Sequence, residues 1–213
     1  MTASSAHDVV ITDAIEAERR ELADVLSALP PSDWDELSLC AGWRVREVVA
    51  HMTMPFRYST AKFMIEIVKD RGRFHRMSDR CAKRDAAAPP AELLAALRDN
   101  AAYPWKPPGG GFEGALVHDV IHGMDITVPL NSDRRVPLDR VRVVLDVIAR
   151  PKTLSNFATD LSEVELRADD IDWALGSGSP VSGAAQDLAL VLCGRKLPAG
   201  RLRGDLSSRF IAA

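Results

Sequence analysis

Hydrophobic positions form helical stripes over the first two thirds of the chain and then change character. From Val9 to Leu29, apolar residues (Ile11, Ile15, Leu22, Val25, Leu26, Leu29) return to one face of a 3.6-residue period, and Pro30-Pro31 stops the run. This predicts one long amphipathic helix. A second stripe starts near Trp43 and carries Val45, Val48, Val49, Met52 and Phe56; it resumes through Phe63, Met64, Ile67 and Val68 to about Asp70, with a kink expected at Pro55. "KDRGRFHRMSDRCAKRDAAAPP" reads as an irregular basic connection. A third helix, "AELLAALRDNAA", follows Pro89-Pro90, because proline is favoured at a helix start. After the loop "YPWKPPGGG" comes a fourth, "FEGALVHDVIHGMDITVPL". Four such helices predict a bundle.

Beyond "NSDRRVP" the pattern breaks. "LDRVRVVLDVIAR" is one more helix. Val164 and Leu166, then Ile171, Trp173 and Leu175, alternate at the strand period on either side of Asp169-Asp170. "SGAAQDLALVLCGR" reads as a helix with Ser182 as its N-cap and Gly194 just past its end. The expected architecture is mainly α: a four-helix bundle over residues 1–135, then a small α/β domain over 136–213.

Composition narrows the class. The chain has 213 residues, 46% apolar and 27% charged, with a net charge of −3. That is ordinary for a globular protein and exerts no general pull toward nucleic acid or anionic lipid. No apolar run reaches the length of a membrane span, and the N-terminus turns acidic and amphipathic at once, unlike a secretory signal. Three cysteines, odd in number and far apart, argue against a disulfide framework, and a reducing cytoplasm is the expected setting. Lys69–Arg84 holds seven Lys or Arg against two Asp. A solvated connection explains it better than a nucleic-acid patch.

The candidate chemistry lies in the histidines. His118 and His122, two of five in the chain, sit four apart inside an apolar run, so both imidazoles leave one helix face and can aim at one ion. Taken alone, the pair fits core histidines bonded to carbonyls at least as well. His51, on the apolar side of the second helix, supplies a third imidazole if the second and fourth helices face each other. Three protein nitrogens with positions left open is the arrangement of a catalytic metal, zinc first, with nickel also compatible with imidazole. Glu47, one turn before His51, and Asp125, one turn after His122, could orient the imidazoles from behind; a solvated helix face is the alternative for each. Cys40 could be a nucleophile near a helix start, or a small packed residue.

"LCAGWRVREVVAHM" (Leu39 to Met52) resembles the C-x-G-W-x-x-x-[DE]-x-x-A-H-[LM] stretch of the mycothiol-dependent maleylpyruvate isomerase family, part of the DinB-like superfamily of metal-binding four-helix bundles. "VHDVIHGMDI" (Val117 to Ile126) resembles its second signature, and Ser177 to Asp205 resembles its C-terminal piece, with a Gly-x-Ala-x-Asp-Leu helix and a Gly-Asp ending. The resemblance implies a DinB-like four-helix bundle with His51 as first metal ligand, His118 as middle and His122 as last. At the middle position the thiol-dependent isomerases tend to carry Glu, so this chain departs toward the three-histidine form. Three neutral ligands leave the ion more positive and favour bound hydroxide or thiolate. The implied activity is a metal-dependent isomerisation or S-transfer that uses mycothiol or another low-molecular-weight thiol on an electrophilic small molecule. A metal-dependent hydrolase of thiol conjugates and a non-catalytic metal- or small-molecule-binding protein stand as alternatives.

Overall fold

The computed structural model describes residues 3–157 and 159–212. The chain divides into two compact units, Met1–Leu130 and Asn131–Ala213. The first holds helices α1 (Ala3–Ala28), α2 (Val45–Arg57), α3 (Thr60–Lys69), α4 (Phe74–Asp85), α5 (Pro90–Asp99) and α6 (Gly111–Thr127). Four of them form the bundle: α1 packs on α5 and α6, and α2 packs on the same two helices. The stripes predict this burial. Leu22 and Leu26 of α1, Val45, Val48, Val49 and Met52 of α2, Leu93 and Leu97 of α5 and Ile126 of α6 make one core. Each such side chain contributes about 1.5–3 kcal/mol on burial.

Two sequence expectations need correction here. The stripe from Trp43 to Asp70 is not one kinked helix. Helix α2 passes through Pro55 and ends at Arg57, and α3 restarts at Thr60 with the Ser59 side chain capping the Lys62 N–H. The missing N–H of proline falls near the end of α2, where the helix terminates soon after. The basic connection is also largely helical. It contains α4, which buries only Met77, Ser78, Cys81 and Ala82. That stripe is narrow, and charged residues on the other faces masked its period. Those charges are paired rather than merely solvated. Arg80 bridges to Glu66 and Asp70, and Arg84 to Glu66 and Asp85. α4 packs on both α2 and α3.

The second unit contains α7 (Leu138–Ile148), the short α8 (Pro151–Leu154), α9 (Ala185–Leu192) and strands β1 (Val164–Ala168), β2 (Ala174–Gly176), β3 (Ser179–Gly183) and β4 (Leu202–Arg203). The sheet order is β2-β1-β3-β4; β1 runs antiparallel to β2 and parallel to β3, and β3 runs antiparallel to β4. The first strand read from the sequence is β1; of the second, only Leu175 lies in a strand, β2, and Ile171 and Trp173 precede it. Ser182 belongs to β3 and does not cap α9. The cap residue is Ala184, and the Asp170 carboxylate accepts the Ala185 N–H at 2.8 Å. A β-strand of five residues containing Gly and Pro gives no alternation to read. All eight residues of α9 are buried, against β1, β3 and α7. It ends in a Schellman turn at Gly194 (φ +76°), with Arg195 N–H to Leu190 O and Gly194 N–H to Val191 O. Gly178 (φ +131°) lets the chain enter β3 beside Glu163, whose carbonyl oxygen would lie 2.2 Å from any Cβ there. Among the described residues, no helix is long and apolar enough to cross a membrane.

Candidate metal centre

His51 projects from α2 and His118 and His122 from successive turns of α6. The three rings meet: centroids are 5.1 Å apart for His51 and His118, 4.9 Å for His51 and His122, and 4.7 Å for His118 and His122. The Nε2 atoms of His51 and His118 lie 3.1 Å apart. Two imidazoles bound to one ion at about 2.0–2.1 Å require a separation near this value. One nitrogen from each ring falls in a cluster within 4.8 Å of the others.

Each ring is held from behind at Nδ1. His118 bonds Asp119 Oδ1 at 2.8 Å, His122 bonds Asp125 Oδ2 at 3.0 Å, and His51 meets Ser78 Oγ on α4 at 3.0 Å. A carboxylate accepts, so the contacts of His118 and His122 favour the tautomer with the proton on Nδ1, which is the one that leaves Nε2 to serve as a ligand. Burial holds the His51 imidazole neutral, well below the usual histidine range, and His122 and His118 push the same way. Neutral imidazole is the ligand form. The donor set therefore fits a divalent cation on three counts: ring type, convergence and outer support.

Sequence reasoning placed Glu47 behind His51. The structure turns Glu47 elsewhere, since its carboxylate accepts from the Arg44 backbone N–H at 2.7 Å and pairs with the Arg44 guanidinium at 2.6 Å. It caps α2, and Ser78 stands at His51 instead. Ser78 escaped notice because its segment read as irregular. Asp125 does stand behind His122. It also accepts the Cys40 thiol at 2.9 Å, and Leu39 N–H bonds its backbone oxygen. The cysteine before α2 is thus tied to the last turns of α6.

Asp119 and Arg19 were missed as well. Arg19 of α1 is wholly buried and donates from Nε to Asp119 Oδ2 at 2.6 Å. Burial opposes ionisation of Asp119, but the His118 hydrogen bond and the Arg19 charge outweigh it and hold the carboxyl below its usual range. A signal existed in the sequence: Glu18 and Arg19 occupy the position in the Ile11, Ile15, Leu22, Leu26 stripe where an apolar residue belongs, and both are buried. Two indoles flank the cluster. Trp43 lies 5.2 Å from His51 and Trp105 5.0 Å from His118, centroid to centroid. The remaining histidines stand apart: His7 pairs with Glu113 at the surface, and His75 is exposed.

Residues 15–103 match the family model described as "Mycothiol maleylpyruvate isomerase N-terminal domain". That stretch of the chain is similar to the family's N-terminal domain. The match runs from the middle of α1 to just past α5 and includes His51. Two solved structures share the fold over nearly the whole length: a crystal structure of the mycothiol-dependent maleylpyruvate isomerase and one of a histidine-to-alanine mutant of it. Each has a TM-score of 0.56 and 13% identity, covering 95% of this chain and 93% of the other. No curated protein matches the chain.

Proposed function

We propose that His51, His118 and His122 hold one divalent cation, zinc first and nickel second, and that the protein uses a low-molecular-weight thiol on an electrophilic small molecule. Mycothiol is the thiol the family points to. One observation carries the reading: each of three converging imidazoles has its Nδ1 taken by an outer partner, which leaves its Nε2 for a common centre. When bound, a cation there lowers the pKa of a thiol, about 8.5 when free, so that it is thiolate at neutral pH.

The chain's own residues do the rest. Asp119, Asp125 and Ser78 fix the ring orientations, so no reorganisation is needed as charge develops. Trp43 and Trp105 stand against His51 and His118 and limit the rings' movement. The thiolate sulfur adds to an electrophilic carbon. Addition to a conjugated double bond converts it to a single bond; rotation and expulsion of the thiolate then return the thiol and leave the geometric isomer. An adduct that is protonated and kept is S-transfer.

A second reading has its own observation. Without a cation, Ser78 O–H can donate to His51 Nδ1, and His51 Nε2–H to His118 Nε2 across the 3.1 Å gap, which gives a hydrogen-bonded cluster and a non-catalytic binding protein.

Cobalt(II) distinguishes them, because it takes zinc's ligands and absorbs light. Ligand-field bands alone are expected for the protein with cobalt, and a sulfur-to-cobalt charge-transfer band should grow and saturate when mycothiol is added near pH 7. A spectrum that no thiol alters, while hydroxide still titrates, replaces this reading with the hydrolase of thiol conjugates. Failure of the folded protein to take up cobalt or zinc leaves the hydrogen-bonded cluster.

A further inference from the structure

We propose that Arg19 is a positioning residue for the histidine cluster: from α1 it fixes the Asp119 carboxylate, which in turn fixes the tautomer and direction of His118. The inference rests on the metal-site reading for its purpose, though not for its geometry.

Arg19 has no exposed surface and lies in the middle of an apolar stripe. Burying a guanidinium is costly unless its donors are met; here Nε and Nη1 are met, while Nη2 has no hydrogen-bond partner among the described residues. Nε donates to Asp119 Oδ2 at 2.6 Å, and Nη1 donates to Ala101 O at 3.0 Å and Tyr103 O at 2.8 Å. Its central carbon sits 4.9 Å from the Phe56 ring centroid, a cation–π contact. A planar fork can satisfy a carboxylate and two carbonyls together; a lysine ammonium is a single point. The two Asp119 oxygens are divided, Oδ2 to Arg19 and Oδ1 to His118 Nδ1. The carboxylate is therefore clamped between them.

An ion pair is not needed merely to join α1 to α6. Apolar residues of similar volume do that as well or better. What they cannot do is hold a buried carboxylate aimed at one imidazole nitrogen. Arg19 also grips the carbonyls of Ala101 and Tyr103, at the start of the loop that brings Trp105 against His118. Both supports of His118, the carboxylate behind it and the indole beside it, thus trace to one guanidinium.

The test uses the full chain and the variants Arg19→Gln and Asp119→Asn. Three quantities are read: imidazole nitrogen NMR shifts in metal-free protein, zinc affinity by competition with a chromophoric chelator, and thermal melting. Each variant should move His118 from the Nδ1–H form toward a mixture of tautomers while the His122 signals stay put. Zinc affinity should fall about 10–100-fold in each, as it does when an outer partner of a ligand is lost. The double variant should fall no further than the weaker-binding single one, because both act through one relay. A lower melting temperature for Arg19→Gln with unchanged His118 tautomer and zinc affinity would make the residue structural only and overturn the proposal. Should Arg19→Gln fail to fold, Arg19→Lys decides: a smaller shift of the same kind supports the relay, and none overturns it. If zinc does not bind the unaltered protein but the tautomer still follows Arg19, the metal reading fails and the relay stands.

Discussion

The Cys40 thiol and the buried Asp125 carboxylate are joined by a hydrogen bond of 2.9 Å between the loop before α2 and the end of α6. Cys40 is half-buried, whereas Cys81 and Cys193 are buried. One equivalent of iodoacetamide should therefore label Cys40 in the native protein, and the other two only after unfolding; peptide mass mapping reads this. Cys40→Ser keeps a donor for Asp125 and should melt near the unaltered protein. Cys40→Ala removes that donor and should cost about 1–2 kcal/mol in denaturant unfolding.

If the three histidines are ligands, their replacements must separate from that of a surface histidine. His51→Ala, His118→Ala and His122→Ala should each lower zinc affinity by more than the roughly 10–100-fold expected for an outer partner. His75→Ala, at an exposed position, should leave it unchanged. Elemental analysis after dialysis reads the difference. Equal metal content in His118→Ala and His75→Ala contradicts the ligand assignment.

Ser78 changes role with the ion. With a cation on Nε2 of His51, the proton must sit on Nδ1 and the serine oxygen accepts it; in the metal-free cluster the serine donates. Zinc should therefore move the His51 nitrogen shifts from an Nε2–H to an Nδ1–H pattern. Ser78→Ala should weaken zinc about 10-fold or more while costing only about 1 kcal/mol of stability.

Acid should loosen the contact between α3 and α4. Glu66 is buried beside Arg80 (2.8 Å), Arg84 (3.0 Å) and Lys69 (3.2 Å). The Arg80 hydrogen bond chiefly lowers its pKa, burial opposes, and Arg84 and Lys69 add to the lowering, from 4.5 to about 2. A carboxylate whose folded pKa is depressed stabilises fully above its unfolded pKa and loses that contribution as pH falls toward the folded one. Glu66→Gln should thus be less stable than the unaltered protein at pH 7. Melting curves should show the gap closing between about pH 4.5 and pH 2; a gap independent of pH would show that the charge is not what matters.

Two glycines of the second unit should respond differently to alanine. At Gly178 a Cβ meets the Glu163 carbonyl at 2.2 Å, so Gly178→Ala must displace the entry to β3 and should cost more than about 3 kcal/mol. At Gly194 the nearest atom is Phe157 O at 3.4 Å, and only the left-handed backbone is penalised, about 1–2 kcal/mol. Chemical denaturation of the two variants gives the comparison.

The sequence by itself determined what local period and chemistry can specify. Stripes wide enough to bury a helix, as in α1, α2, α5 and α6, predicted the bundle, because an apolar face has one stable use. His118 and His122 were legible as a pair because four residues bring side chains back to one face of a helix. Asp125 was legible for the same reason. Helix α4 was not, since its buried stripe is narrow and its charges find partners only across space. Strand β3, with Gly and Pro, has no alternation to show. Tertiary structure alone decided that Glu47 turns to Arg44 while Ser78 meets His51, and that Arg19, one hundred residues from Asp119, shares its carboxylate with His118. Which partner a polar side chain takes depends on how helices pack. A buried charge in an apolar stripe announces that a partner exists, and only the packed bundle supplies it.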